Sequence, residues 1–151
     1  MNSTLNACTI GLLLNGPNLN LLGQREPERY GRETLANIEA RLSARSQAAG
    51  VALECLQTNW EGAMLERIHQ VMTAPVRFIL INPGAWTHTS IALRDALLAV
   101  RSPLFEIHIS QVYQREPFRQ HSYFSDIALG TLVGFGTLGY DYALESALRA
   151  P

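Results

Sequence analysis

Apolar positions along the chain switch between two periods. Five short runs rich in aliphatic and β-branched residues, at 8–14, 51–56, 76–81, 104–109 and, more weakly, 128–135, read as strands. Between them the spacing becomes helical. Leu35, Ile38, Leu42 and Ala49 mark one amphipathic helix, and Met64, Leu65, Ile68, Val71 and Met72 a second. Ile91, Leu93, Ala96, Leu97 and Val100 mark a third, and Tyr140, Ala143, Leu144, Ala147 and Leu148 a closing one. Thr34 stands where an N-cap belongs and Gly50 where a helix ends. Pro75 stops the second helix, and Pro103 follows the third.

Strands alternating with helices of this length predict βαβ units and a parallel sheet. The expected fold is α/β: a flavodoxin-like, doubly wound, five-stranded parallel sheet with helices on both faces. Unbroken apolar stretches such as 78–81 agree, because a parallel strand is covered on both sides. The 151 residues fit one domain, with 1–7 as an N-terminal extension and about 16–33 as a lid loop over the site. Hydrophobic residues at 47% and charged residues at 17% are an ordinary globular balance. A net charge of -1 supplies no field for nucleic acid or an acidic membrane, so neither is an expected partner. The two cysteines, Cys8 and Cys55, sit in strand-like runs and are expected to be small buried hydrophobes rather than a disulfide. No apolar run is long enough to span a bilayer, and residues 1–7 do not read as a signal peptide. The cytoplasm is the expected location.

Doubly wound sheets bind ligands beyond the carboxyl ends of their strands, and the unusual residues fall there. After the first strand come Asn15-Gly16-Pro17-Asn18-Leu19-Asn20, then Arg25 and Tyr30. After the second come Gln57 and Asn59, and after the third Asn82-Pro83-Gly84-Ala85 and Thr87-His88-Thr89-Ser90. The fourth ends in His108-Ile109-Ser110 and runs into Arg115, Glu116 and Arg119. Four strand ends are therefore expected to converge on one polar mouth.

With period two, Glu106, His108 and Ser110 share one face of the fourth strand. A carboxylate two residues from a histidine can accept its ring N–H and fix its orientation, which suits a general acid or base; the competing reading is a purely structural Glu–His pair. Arg115 and Arg119 close behind favour the functional reading, since arginines gather around anionic or hydroxylated ligands. In the loop, Arg25, Arg29 and Arg32 surround Tyr30. A loop tyrosine is usually a surface residue, but ionising it near neutrality takes roughly 4 kcal/mol of preferential stabilisation, which nearby guanidinium groups can supply. Capping accounts for Thr87, Thr89 and Ser90 but not for His88, and His69 reads as structural. No His-x-x-x-His or paired-cysteine spacing points to a metal, and no Gly-x-Ser-x-Gly elbow to a catalytic serine. Gly134-x-Gly136-x-x-Gly139 lacks the βαβ unit of a dinucleotide site, so its glycines are expected to serve helix–sheet packing.

These residues together resemble the type II 3-dehydroquinases. The resemblance rests on Asn15-Gly16-Pro17-Asn18-Leu19-Asn20-Leu21-Leu22-Gly23 with Arg25-Glu26-Pro27 and Tyr30-Gly31, and on Gln57-Thr58-Asn59-Trp60-Glu61-Gly62. It continues through Asn82-Pro83-Gly84-Ala85, Thr87-His88-Thr89-Ser90, Ala92-Leu93-Arg94-Asp95-Ala96 and Glu106-Ile107-His108-Ile109-Ser110, to Arg115-Glu116, Arg119 and Ser122. It implies conversion of 3-dehydroquinate to 3-dehydroshikimate with no cofactor, metal or Schiff base, in the shikimate pathway or in quinate breakdown. It further implies Tyr30 as the base, Arg25 as the group holding it as phenolate, and Asn18 as a stabiliser of the enolate oxygen. His108, oriented by Glu106, is implied as the acid. Asn82, His88, Ile109, Ser110 and Arg119 are implied in substrate binding, and Asp95 in a neighbouring subunit's site, because the family forms dodecamers built of trimers. Arg115 is implied as a lid or supporting residue. Gln111 and Thr58 depart from the family's usual Asn and Ser but keep hydrogen-bonding chemistry.

The same fold serves other ends. A flavin carrier needs a Ser/Thr-rich phosphate loop after the first strand, and a phosphoacceptor domain needs an aspartate ending the third; Gly16-Pro17-Asn18 and Asn82 stand there instead. A non-catalytic ligand-binding or scaffold protein is the alternative, though it has no use for both the Arg25–Tyr30 and Glu106–His108 pairs.

Overall fold

The computed structural model describes residues 8–150, except the side chains of Arg29 and Tyr30. Five strands, β1 Ile10–Asn15, β2 Ala52–Gln57, β3 Ile79–Asn82, β4 Leu104–His108 and β5 Gly130–Val133, form one parallel sheet in the order β2-β1-β3-β4-β5. Five α-helices accompany them: α1 Pro27–Tyr30, α2 Leu35–Ala48, α3 Glu61–His69, α4 Ile91–Val100 and α5 Leu138–Arg149. The flavodoxin-like expectation holds. Among the described residues no helix is long and apolar enough to cross a membrane.

Strand alternation divides the core in two. Leu13, Leu80, Phe105 and Ile107 face α2 and α5, where they pack with Ile38, Leu42, Tyr140 and Leu144. Leu12, Leu14, Ile79, Ile81 and Leu104 face α3 and α4, meeting Met64, Ile68, Leu93 and Leu97. Glu106 belongs to this second row by period, in register with Ile81, so the fold forces a carboxylate into an apolar layer.

Local signals set the helix ends. Thr34 and Asn37 form a reciprocal capping box at α2, and Ser90 accepts the Leu93 N–H at 3.0 Å to start α4. A 3-10 turn, Gln70–Met72, carries α3 to its stop before Pro75. The short helix α1, begun by Pro27, interrupts what the sequence reads as plain loop; proline's fixed φ suits that first position. β3 starts later than the apolar run, because Val76 and Phe78 are buried ahead of the strand proper.

The cysteines are a correction. Cys55 is exposed on edge strand β2, and Cys8, just ahead of β1, is partly buried. Gly134 and Gly136 turn the chain out of β5 at φ +88° and +61°, whereas a Cβ on Gly139 would make only an ordinary contact, 3.6 Å from Ile107, so these glycines serve the turn rather than close helix–sheet packing.

The strand order reverses between β1 and β3, and Asn15 and Asn82 end these two strands as register partners. Gly16, next after Asn15, donates its N–H to the Asn82 carbonyl at 2.8 Å. A Cβ on Gly16 would stand 2.3 Å from the Pro83 carbonyl oxygen, which is backbone and cannot rotate away. Gly16→Ala is therefore expected to cost about 1–3 kcal/mol of stability by forcing the two turns apart. Urea unfolding measures it; an unchanged midpoint would show that the turns have slack.

Candidate active site

A cleft opens at the carboxyl end of the sheet, where the loops after β1, β3 and β4 meet. Asn18 and Arg25 line it from the first loop and Asn82 and His88 from the second, while His108, Ile109, Ser110, Arg115 and Arg119 line it from the third. Eight of the eleven residues singled out in the sequence therefore face one space: Asn18, Arg25, Asn82, His88, His108, Ile109, Ser110 and Arg119. Glu106 lies behind His108. Asp95 is exposed on α4 and does not line the cleft. The Tyr30 side chain lies outside the described residues, although its backbone closes α1 in the same loop as Arg25. Arg32 is exposed and Arg25 lines the cleft, with its Nε 3.7 Å from Glu26, so these two arginines of the loop do not share one environment.

The strand-two end is a second correction. Gln57 and Asn59 do not line the cleft but brace its wall. Gln57 donates to the Gly16 carbonyl at 3.1 Å, and Asn59 Oδ1 accepts the Asn18 N–H at 3.0 Å. Asn18 is thereby held in the left-handed region, at φ 70°. Thr58, one of the two departures, accepts the Trp60 N–H at 3.0 Å and so shapes the turn into α3.

Glu106 is 1% exposed, yet its carboxylate is fully engaged. Ser122 donates to Oε1 at 2.5 Å, Thr87 to the same oxygen at 3.2 Å, and Ser125 to Oε2 at 2.6 Å. The His108 ring nitrogen Nε2 lies 3.3 Å from Oε2. Burial alone would raise the Glu106 pKa, but the His108 contact and the Ser122 and Ser125 hydroxyls outweigh it and hold the carboxyl below its ordinary value. An ionised carboxylate only accepts, so the histidine nitrogen facing it carries hydrogen and the other ring nitrogen is left for the cleft.

His88 stacks on His108 with ring centroids 6.4 Å apart. Its Nδ1 sits 2.7 Å from the His121 carbonyl, which can only accept, so the hydrogen of the neutral ring lies on Nδ1. Burial lowers its pKa, with His108 and Arg119 adding to the effect and the His121 contact opposing it. At neutral pH His88 is thus uncharged, with an acceptor nitrogen to offer. Arg115 donates to Ser110 at 3.3 Å, and Arg119 pairs with Glu116 at 2.6 Å. The cleft is consequently rich in cations and neutral donors, a setting for an anionic, hydroxylated ligand.

Four residues have supporting roles that the sequence reading did not give them. Thr87 reads as a cap but binds Glu106, and Ser90 alone caps α4. Ser122 and Ser125 sit in a loop far along the chain, and nothing in their spacing points to Glu106. Tyr140, read as an apolar helix marker, hydrogen-bonds both Asn15 and Asn82; a tyrosine on a buried helix face does signal a missing partner for its hydroxyl.

Comparisons with known proteins agree with one another. Residues 9–148 match a family model described as dehydroquinase class II. A 3-dehydroquinate dehydratase of Alkalilimnicola ehrlichii is 62% identical over 138 residues, covering 91% of this chain and 91% of its own. That of Chromobacterium violaceum is 59% identical over 138 residues, covering 91% of this chain and 88% of its own. Among solved structures, a type II dehydroquinase from Propionibacterium acnes matches with a TM-score of 0.89 at 41% identity, covering 94% of this chain and 97% of that one.

The lowered Glu106 pKa carries a pH signature. A carboxyl whose folded pKa lies below its unfolded value of 4.5 contributes stability above that value, and the contribution is lost as pH falls through the folded pKa. Glu106→Gln lacks this dependence. The gap in unfolding free energy between the two proteins is expected to be widest near neutrality and to narrow below about pH 4.5. Denaturant titrations across that range measure it, and a constant gap would mean the carboxylate is not preferentially stabilised by folding.

Proposed function

The chain belongs to the class II dehydroquinase family, and from that premise we propose how its cleft performs the reaction. The protein is a 3-dehydroquinate dehydratase, a hydro-lyase. The observation that carries the mechanism is the buried, saturated Glu106 carboxylate holding His108 at the cleft floor.

The Tyr30 phenolate takes the proton at C2 of 3-dehydroquinate, and the C–H electron pair moves toward the C3 carbonyl to form an enolate. Arg25, on the cleft wall, holds the phenol ionised by its charge. Asn18, braced by Asn59, stabilises the enolate oxygen through a bound water, as donors oriented in advance do for developing charge. The enolate then collapses. Its electrons form the C1–C2 double bond, the C1–O bond breaks, and His108 protonates the departing hydroxyl to water. Glu106 keeps the imidazolium in place, and return of the proton from Tyr30 to His108 resets the site. The product is a conjugated enone.

Asn82, His88, Ile109, Ser110 and Arg119 bind the carboxylate and hydroxyls, which suits their shared cleft and its cationic balance. The loop at about 16–33 is the lid, and residues 1–151 act as a single catalytic unit. Asp95 is too exposed to serve its own cleft and reaches a neighbour's site in a dodecamer built of trimers. The cytoplasm is its working location, in aromatic biosynthesis or quinate breakdown. A non-catalytic binding protein would have no use for a histidine held by so costly a buried anion.

Adding 3-dehydroquinate is expected to produce the ultraviolet absorbance of the enone, and the same assay tests the base. Tyr30→Phe should lower kcat by at least about 100-fold while substrate binding persists. A near-normal kcat would remove Tyr30 from the mechanism. Asp95→Ala should raise KM or weaken assembly while kcat stays within about threefold. Sedimentation that finds a fully active monomer would exclude a shared site.

A further inference from the structure

We infer that Tyr140 is a positioning residue for substrate binding, holding in place the Asn82 side-chain amide, whose sense the Gly84 N–H fixes, through a one-directional hydrogen-bond chain to Asn15. The inference rests on the reading of Asn82 as a substrate ligand and adds to it how that ligand is aimed.

The chain starts at a backbone donor. Gly84 N–H lies 3.2 Å from Asn82 Oδ1, and an N–H can only donate, so the oxygen of the amide is fixed on that side. The Asn82 amide nitrogen therefore faces Tyr140 and donates to its hydroxyl at 2.8 Å. The hydroxyl, accepting from Asn82, has one hydrogen to place, and it donates to Asn15 Oδ1 at 2.6 Å. Were the Asn82 amide turned over, its NH2 group would meet the Gly84 N–H.

The surroundings leave these groups no substitute partners. Asn15 and Tyr140 are fully buried and Asn82 is 3% exposed, so water does not compete within the chain. Burial pushes the Tyr140 phenol above its ordinary pKa, which keeps its hydrogen present to be donated. Asn15 and Asn82 are register partners on neighbouring strands at the switch point, and Tyr140 rises from α5 to bridge them. With Oδ1 on Gly84 and one amide hydrogen on Tyr140, Asn82 keeps one N–H donor, and the residue lines the cleft. A donor so fixed suits a carboxylate or hydroxyl oxygen of 3-dehydroquinate.

Tyr140→Phe keeps the ring and deletes the link. Its expected effect is a rise in KM for 3-dehydroquinate of about 10-fold, with kcat reduced less than about threefold, because binding and not proton transfer is disturbed. In an Asn82→Ala background the same substitution should raise KM no further, since the amide it holds is gone. Asn15→Ala, which removes the acceptor for the Tyr140 hydrogen, should raise KM in the same manner and provides the test if Tyr140→Phe fails to fold. If Asn82→Ala raises KM but neither Tyr140→Phe nor Asn15→Ala does, or if the effects add in the double variant, the positioning role is wrong and Asn82 remains a ligand. If Asn82→Ala leaves KM unchanged, the reading of Asn82 as a ligand fails and the inference falls with it.

Discussion

A single buried anion organises the working end of this molecule. Glu106 falls on an inward-facing strand position by simple alternation, in a layer otherwise filled by apolar side chains. An uncompensated carboxylate there would cost several kcal/mol. Three hydroxyls and one imidazole make it tolerable, and they come from three different segments of chain: Thr87 after β3, His108 at the end of β4, and Ser122 and Ser125 beyond it. Satisfying one charge thus ties the loop around 122–125 to the sheet and fixes a histidine at the cleft floor. The same loop reaches back through the His121 carbonyl to His88 and through the Tyr123 N–H to the Thr87 carbonyl. Both histidines depend on it.

The other wall depends on the reversal of strand order. Between β1 and β3 the two following connections leave in opposite directions, so a gap opens at the carboxyl ends of these strands. Asparagines rather than apolar residues end both strands, and Tyr140 bridges them from below. Gly16 brings the two turns close enough that a methyl group would strike the Pro83 carbonyl. The mouth is polar at its centre, and Tyr140 links the two strand-end asparagines there, although the Asn15 side-chain Nδ2 keeps no hydrogen-bond partner among the described residues.

Much of this was readable in advance. Five apolar runs with helical segments between them implied the parallel sheet, and Thr34 and Gly50 marked the two ends of α2 where the structure has them. The candidate residues at the ends of β1, β3 and β4 do meet in one cleft. Other features were not readable. Thr87 and Ser90 look alike as capping residues three positions apart, yet one binds Glu106 and the other caps α4, because only their approach to neighbouring elements separates them. Cys55 looks like a core residue until β2 turns out to be a sheet edge.

The amino-acid order by itself determined what is local and periodic: element types, most caps, the shared face of Glu106 and His108, and the motifs that mark the family. Tertiary structure decided everything set by distance across the chain. It chose Ser122 and Ser125 as partners for Glu106, joined Tyr140 to Asn15 and Asn82, turned Gln57 and Asn59 from lining to bracing, and left Asp95 outside the cleft. The physical reason is range. Backbone periodicity acts over a few residues, whereas a buried polar group takes whatever partner packing brings within about 3 Å, however far away it lies in sequence.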